Sequence, residues 1–433
     1  MPLPEIPSHW RSTSRKVVRA AFKMAAHRLE ETSPVPPETL GGAPLKIAFF
    51  CDSYKPTRNG VAVSVQTTAQ QLRAQGHRVV IFAPRYPGYD GEEVDVVRFP
   101  ASPLFKVRDF PVAWPILPYF SLAAWSRFVE EEFDVVHSHS PFILGTVGAR
   151  WAKYSRVPLV FTFHTLYHRY LHYAPIPQQV SRPYTLQKLK YYCELCDHIV
   201  APSKAIERVV HRFRSDASTS VIPTGVDVAC FASGEGARAR ETFGIASDEK
   251  VLLYVGRLAP EKNLGFLLRS LAPLLRDTQP FRVRLLLVGD GAATAQLKTI
   301  VQELQLQQRV TFSGFLEEQA LLDCYAAGDI FVFASRTETQ GVCIAEALSA
   351  GLPCVVVGAM GAAESVSDGV EGLVVPPHDV RFCEAVQRLL SDEELRAQMA
   401  TAARRKAHAL SLETRVSELA QSYRLLLSRS VSQ

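Results

Sequence analysis

Two glutamates, Glu338 and Glu346, stand eight positions apart in the stretch 337–348 (TETQGVCIAEAL), just after the apolar run 329–335. If that run is a strand, Glu338 lies in the loop beyond it. Glu346 then lies one to two turns inside a helix that opens near Gly341, at about 1.5 Å of rise per residue. Both carboxylates face one cleft, one at its mouth and one deeper. A carboxylate accepts from paired hydroxyls such as those of a sugar, and a glycine at a helix start lets a phosphate approach the backbone. Taken alone, such a pair is also compatible with ordinary solvated helix charges. Upstream, the octet 256–263 (GRLAPEKN) puts Arg257 just past a strand and Lys262 in the opening turn of the next helix, where Pro260 suits the start. Two cations converging there form a clamp for a diphosphate. Charge grows on a departing diphosphate, so the clamp favours the transition state over the ground state. His164 ends the run PLVFTFH, and His137 and His139 end DVVHSHS. The i, i+2 spacing puts the latter two on one strand face. No third metal ligand accompanies them, and one of the two is expected to line the cleft.

The elements that must position these residues alternate. Strand candidates at 45–51, 78–84, 134–140, 158–164 and 197–203 are separated by helical patterns in several places. After the Pro- and Gly-bearing segment 220–227 the rhythm restarts at 250–256, 283–289, 309–314, 329–335 and 353–358. Such alternation indicates parallel sheets built from right-handed crossovers. Two units of similar size predict an α/β protein of two Rossmann-like, doubly wound domains facing a cleft, residues 45–224 and 225–410. Residues 1–44 would form an extension and 411–433 a final helix. In open parallel sheets, ligands sit beyond the carboxyl ends of the strands, so the polar residues just after strands are the candidates for the site.

Composition narrows the function. The chain has 433 residues, a net charge of +5 and ordinary apolar and charged content, which fits two globular domains rather than disorder. The mild basicity suits a phosphate-bearing ligand or an anionic membrane, and no nucleic-acid-reading motif is present. Eight cysteines at irregular spacings read as reduced thiols of a cytoplasmic protein. Cys193 and Cys196 lack the second pair that a zinc site would need. The best glycine loop, Gly289-Asp290-Gly291, has Thr294 where a dinucleotide fingerprint needs its third glycine, and no P-loop occurs. No signal peptide or membrane-spanning run is visible. The segment Ser8–Glu31 has a helical pattern, with Arg15, Lys16, Arg19 and Lys23 beside an apolar stripe. It reads either as a helix lying on an anionic membrane or as a solvated extension.

Together, GRLAPEKN and the paired glutamates, in that order and after the right strands, resemble the retaining GT-B-fold glycosyltransferases. That large family is typified by phosphatidylinositol mannosyltransferases and diacylglycerol glucosyltransferases. The resemblance covers roughly residues 45–430. It implies that Arg257 and Lys262 bind the donor diphosphate, that Glu346 holds the ribose and that Glu338 touches the transferred sugar. Thr339, Gln340 and Gly341 complete that donor loop. Gly60, in Asn59-Gly60-Val61, matches a phosphate-side loop that often has two glycines, Asn59 replacing the first. Phe315 falls where the family holds the base, and His164 where it stabilises charge near the anomeric carbon. In place of a common G-G-x-x-E the chain has Met360-Gly361-Ala362-Ala363-Glu364. No D-x-D occurs, consistent with no metal and no cofactor, the nucleotide-sugar being a co-substrate.

The sequence TETQG and the tyrosine-rich 164–175 resemble diacylglycerol glucosyltransferases more than sucrose or glycogen synthases. The expected reaction moves glucose from UDP-glucose to a lipid such as diacylglycerol, with retention, on the cytoplasmic face of a membrane. Tyr167, Tyr170 and Tyr173 are expected at the membrane interface. The proline-broken stretch 110–125 either guides an acyl chain or packs in the core. The alternatives are a GDP-mannose-dependent mannosyltransferase and a non-catalytic nucleotide-sugar binder. The oligomeric state is not readable.

Overall fold

The structure, a computed structural model, describes residues 42–57, 59–89, 91, 93, 95–107, 110–113, 121–171, 177–213, 215–277, 280 and 282–431. The basic segment with Arg15, Lys16, Arg19 and Lys23 lies outside the described residues, as does Tyr173.

The apolar runs form two parallel sheets. The first contains β1 (Lys46–Phe50), β2 (Arg78–Pro84) and β3 (Val96–Phe99). An antiparallel hairpin, β4 (Ala101–Val107) with β5 (Phe110–Ala113), stands apart from it. The sheet then continues through β6 (Val135–Ser138), β7 (Leu159–Thr162), β8 (His198–Ala201) and β9 (Ser218–Val221), in the order β3-β2-β1-β6-β7-β8-β9. The second contains β10 (Glu249–Val255), β11 (Arg282–Val288), β12 (Val310–Gly314), β13 (Ile330–Phe333), β14 (Cys354–Val357) and β15 (Gly372–Val375), in the order β12-β11-β10-β13-β14-β15. Central strands are buried almost throughout, as parallel strands covered by helices on both faces must be. β3, β9 and β15 were not among the strand candidates. Each is an edge strand of four residues, so it needs no continuous apolar run, and β9 reads STSV.

The stretch 110–125 resolves into more than one element. Its start is strand β5, and its end enters the helix Leu122–Glu131. Trp125 is buried there, 5.1 Å from Trp151 and 5.8 Å from Phe128. For Trp125, core packing replaces the acyl-guide reading, because Phe128 of its own helix and Trp151 and Tyr154 of the helix Ile143–Ser155 converge on it.

The chain leaves the first sheet after Val221 and returns along Leu410–Leu412. These two crossings run side by side: Val226 N–H donates to the Leu410 carbonyl and Leu412 N–H to that of Val226. A Cβ on Gly225 would sit 2.5 Å from Leu412 Cα, so only glycine allows the crossings to touch. The final helix Leu412–Val431 then packs Val416, Leu419, Ala420 and Tyr423 against Phe49, Val65 and Leu72 of the first domain.

Candidate functional site

Each sheet reverses its strand order once, between β1 and β6 and between β10 and β13. At such switch points the crossovers diverge to opposite faces and open a crevice beyond the strand ends. Arg257 and Lys262 follow β10, and Glu338 follows β13. Across the crevice lie His139, after β6, and His164, after β7.

Lys262 does not open a helix. It ends a single 3-10 turn, Pro260–Lys262, which Asn263 terminates in the left-handed region (φ 57°), and the helix proper starts at Leu264. The turn aims the ammonium at Glu338, with Nζ 2.6 Å from Oε1 and 5.8 Å from the Phe333 ring centroid. Burial works against both charges. The Lys262 charge and the hydrogen bonds from Lys262 and Ser335 nevertheless hold the Glu338 carboxyl below its ordinary range. Burial likewise opposes the Lys262 ammonium, yet Glu338 raises its pKa, so the pair stays ionised. Arg257 is half exposed and bonds Glu261 at 2.7 Å. Both expected clamp cations are therefore paired with carboxylates.

The glycine loop rejected as a dinucleotide site has another task. A Cβ on Gly289 would fall 2.1 Å from the Gly256 carbonyl, and one on Gly291 2.4 Å from that of Leu258. These glycines seat the Arg257 loop directly on the 289–293 backbone, through Leu258 N–H to Asp290 O and Ala293 N–H to Leu258 O. The strand-glycine-turn signal was legible, but its partner was not.

Gly341 caps the helix Val342–Ser349 at φ 87°, a conformation that favours glycine. Glu346, the fifth residue of that helix, accepts from the Tyr325 hydroxyl at 2.6 Å. Burial raises its carboxyl above the ordinary 4.5, and the Tyr325 bond opposes the rise. A hydroxyl-binding carboxylate must be ionised, so donor affinity is expected to fall as pH drops through this raised value. Tyr325→Phe is expected to move that acid limb to higher pH, read as donor KM against pH. For folding the sign is reversed. A raised carboxyl contributes stability below its unfolded value and loses it as pH rises through the folded one.

His164 is half-buried, and burial pushes its imidazole down to about 4. It is therefore neutral near pH 7. Its Nε2 lies 3.0 Å from Nδ1 of His139, so one ring donates and the other accepts. His139 stacks in turn on His137 at 4.2 Å. His137 turns away from the cleft, 2.5 Å from the Tyr423 hydroxyl and 2.7 Å from Thr162 Oγ1. Among the described residues no group of three His, Cys, Asp or Glu side chains gathers as a metal site would require. His139 braces the His164 ring, so His139→Ala is expected to lower kcat by about tenfold to 10²-fold through misplacement of His164. Donor KM should change little, and a purely structural role would instead lower stability with kcat intact.

The second-domain loop also clasps the first domain. Thr339 Oγ1 donates to the His164 carbonyl at 2.9 Å, Ser203 Oγ to the Thr339 carbonyl at 2.6 Å, and Tyr170 OH lies 3.4 Å from Thr337 Oγ1. The Gln340 side chain is committed to the crossing segment, accepting from Thr224 N–H at 2.7 Å and donating to Thr224 O at 2.9 Å. Glu364 accepts from Lys204 N–H and pairs with Arg208 at 3.2 Å. Ser203, Thr224 and Arg208 carry no local signal and were missed, whereas Glu364 was visible as the acid that ends the altered G-G-x-x-E segment. Gly361, the glycine retained in the departed motif, donates its N–H to the Glu338 carbonyl at 3.0 Å. Met360 occupies the left-handed region (φ 49°), and its side chain packs against the first-domain core.

Two expectations about tyrosines need correction. Tyr167 packs edge-on to Phe142 at 4.8 Å, and Tyr170 packs on the same first-domain cluster. Both face protein rather than a membrane, because the segment folds inward toward the clasp. Asn59 replaces a loop glycine by capping the helix Gly60–Ala74, accepting from Ala62 N–H at 2.9 Å. Gly60 begins that helix with open space around it. Phe315 stands 56% exposed beyond β12, outside the core.

Residues 58–229 match the family model described as Glycosyltransferase Family 4, and residues 237–406 the one described as Glycosyl transferases group 1. An alpha-monoglucosyldiacylglycerol synthase of Streptococcus pneumoniae is 29% identical over 347 residues, covering 78% of this chain and 76% of that protein. A D-inositol 3-phosphate glycosyltransferase of Kineococcus radiotolerans is 32% identical over 381 residues, covering 80% and 86%. Among solved structures, sucrose-phosphate synthase from Thermosynechococcus elongatus shares the fold, with a TM-score of 0.74 at 24% identity over 89% of this chain and 100% of that one. Anabaena HepE in complex with UDP does so with a TM-score of 0.71 at 22% identity, covering 87% and 99%. With every strand of the two sheets except β1 falling inside matched segments and a relative aligned over most of its length, the chain belongs to the GT-B glycosyltransferases of family 4, among which it resembles the diacylglycerol glucosyltransferases.

Proposed function

We propose that the enzyme transfers glucose from UDP-glucose to a lipid acceptor such as diacylglycerol, with retention, at the cytoplasmic face of a membrane. The observation that carries the reading is the Lys262–Glu338 pair at the second domain's switch point, tied through Thr339 to the His164 carbonyl. On binding, the donor diphosphate takes over Lys262 and Arg257, which are held by acids without it. Glu338 is then released toward the sugar hydroxyls, while Glu346 accepts from the ribose and Phe315 stacks on the base. As the glycosidic bond breaks, negative charge grows on the diphosphate where the two cations already sit. Positive charge grows at the anomeric carbon near His164, whose neutral ring adds no opposing charge. No side chain stands out as a nucleophile for double displacement. Attack from the leaving-group face, with that diphosphate accepting the acceptor's proton, fits the residues present without a metal or cofactor.

The lipid acceptor is supported by relatives in Streptococcus pneumoniae and Acholeplasma laidlawii, each named alpha-monoglucosyldiacylglycerol synthase and each 29% identical. A relative from Corynebacterium glutamicum named GDP-mannose-dependent alpha-mannosyltransferase, 26% identical over 394 residues, favours mannosyl transfer as the second reading. The test is a panel of UDP- and GDP-sugars against diacylglycerol, phosphatidylinositol and soluble glycans, with the product anomer determined. An α-glucosyl lipid from UDP-glucose supports the proposal. Turnover confined to GDP-mannose or to soluble acceptors overturns it.

A further inference from the structure

The helix Gln178–Leu195 carries apolar side chains on two opposite faces. Thr185, Leu189 and Tyr192 are buried against the first domain, whereas Val180, Tyr184 and Tyr191 stand 64%, 68% and 54% exposed. Spacings of four and seven residues bring these three within about 40° of one another around the helix. They form one stripe, with Lys188 and Lys190 on its two flanks. The neighbouring helix Ile143–Ser155 is joined to this one by Lys188 Nζ to Thr146 Oγ1 at 3.0 Å and by Tyr192 OH to Gly145 O at 2.9 Å. It adds exposed Arg150, Lys153 and Tyr154. Glu194 is the sole acid in the two helices, and Lys190 lies 3.7 Å from it. Burial and the nearby Arg150 charge push the Lys188 ammonium down, a sign of crowded cations.

We propose that this two-helix face docks on an anionic lipid bilayer, Val180, Tyr184 and Tyr191 entering the interfacial layer while the flanking cations meet lipid phosphates. A tyrosine ring is apolar at its body and wet at its hydroxyl, which suits that layer, and basic side chains are drawn to anionic headgroups. Charge selects this occupant over others. A second copy of the same face would set cations against cations. The chain's own first residues, with Arg11, Arg15, Lys16, Arg19 and Lys23, would be repelled in the same way. The helix also packs on the 3-10 turn Tyr167–Arg169, next to Tyr170, which reaches Thr337 at the clasp. The proposal deepens the lipid-acceptor reading and rests on it for its purpose.

Sedimentation of the full chain with phosphatidylglycerol–phosphatidylcholine vesicles, against pure phosphatidylcholine vesicles, tests it without donor or acceptor. A wrong acceptor assignment therefore leaves the result untouched. The wild type is expected to pellet with the anionic vesicles in a salt-sensitive manner. Val180→Ser/Tyr184→Ser/Tyr191→Ser is expected to bind them at least about tenfold more weakly with an unchanged unfolding midpoint. Lys153→Glu/Lys190→Glu should lose the preference for anionic lipid. The proposal is overturned if the wild type ignores vesicles or if both variants bind as it does. It is equally overturned if light scattering shows that the stripe variant has lost a dimer instead, which would make a second copy the occupant.

Discussion

Lys262→Met is expected to lower kcat/KM on the order of 10³-fold, the effect of removing a preorganised charge from a developing anion. It should also destabilise the protein, because the Glu338 carboxylate stays in a largely enclosed site without its counter-ion. Removing one partner of a buried pair costs about 3 kcal/mol or more. The two losses are separable. In Lys262→Met/Glu338→Gln no uncompensated charge remains, so the unfolding midpoint should recover most of its value while activity stays absent. A midpoint restored together with turnover would show that the pair serves only the fold. If Lys262→Met alone kept kcat/KM within tenfold of wild type, the diphosphate assignment would be abandoned. Arg257→Ala should cost less, since its guanidinium is half exposed and water can replace part of it.

The second large effect is expected from a single methyl group. A Cβ on Gly361 would lie 2.1 Å from the Thr339 carbonyl oxygen and 2.6 Å from Gln340 N. Both are backbone atoms, so no rotamer change relieves the clash. Gly361→Ala must push the 338–340 loop away, moving Glu338 off Lys262 and Thr339 off the His164 carbonyl together. A displacement near 1 Å costs about 10² in rate, whereas overpacking typically costs about 1–3 kcal/mol in stability. Steady-state kinetics beside a thermal melt check this. A melt unchanged together with kcat/KM unchanged would mean that the loop yields freely and does not position the site.

What could be read from the sequence follows from what local chemistry encodes. The central strands announce themselves because both of their faces are buried, so β10 and β13 are legible as apolar runs and the chemistry falls just beyond their ends. Edge strands such as β9 have one side uncovered, and STSV carries no such mark. Lys262 was placed near the right neighbours but in the wrong element, because Pro260 starts a 3-10 turn as readily as an α-helix. Contacts between the two halves left no trace in spacing. The Gln340 hold on Thr224, the Ser203 bond to Thr339 and the Glu364 pairing with Arg208 each join residues more than a hundred positions apart. The tyrosines show the same limit. Tyr167 and Tyr170 are aromatic and near the cleft, yet their direction depended on a clasp that the sequence does not display. On the helix Gln178–Leu195, apolar residues on both faces hid the exposed stripe.

The paired crossings at Val226 and Leu410–Leu412 act as the spine of a book. Two covalent links lashed together at one edge let the covers swing through an angle but resist sliding past one another. The two halves are then expected to open at the edge far from Gly225, pivoting about the crossings and the Gln340–Thr224 bonds beside them. A bulkier residue at Gly225 would separate the links and let the halves shear, so the enzyme would lose alignment between sugar and acceptor without losing either binding surface.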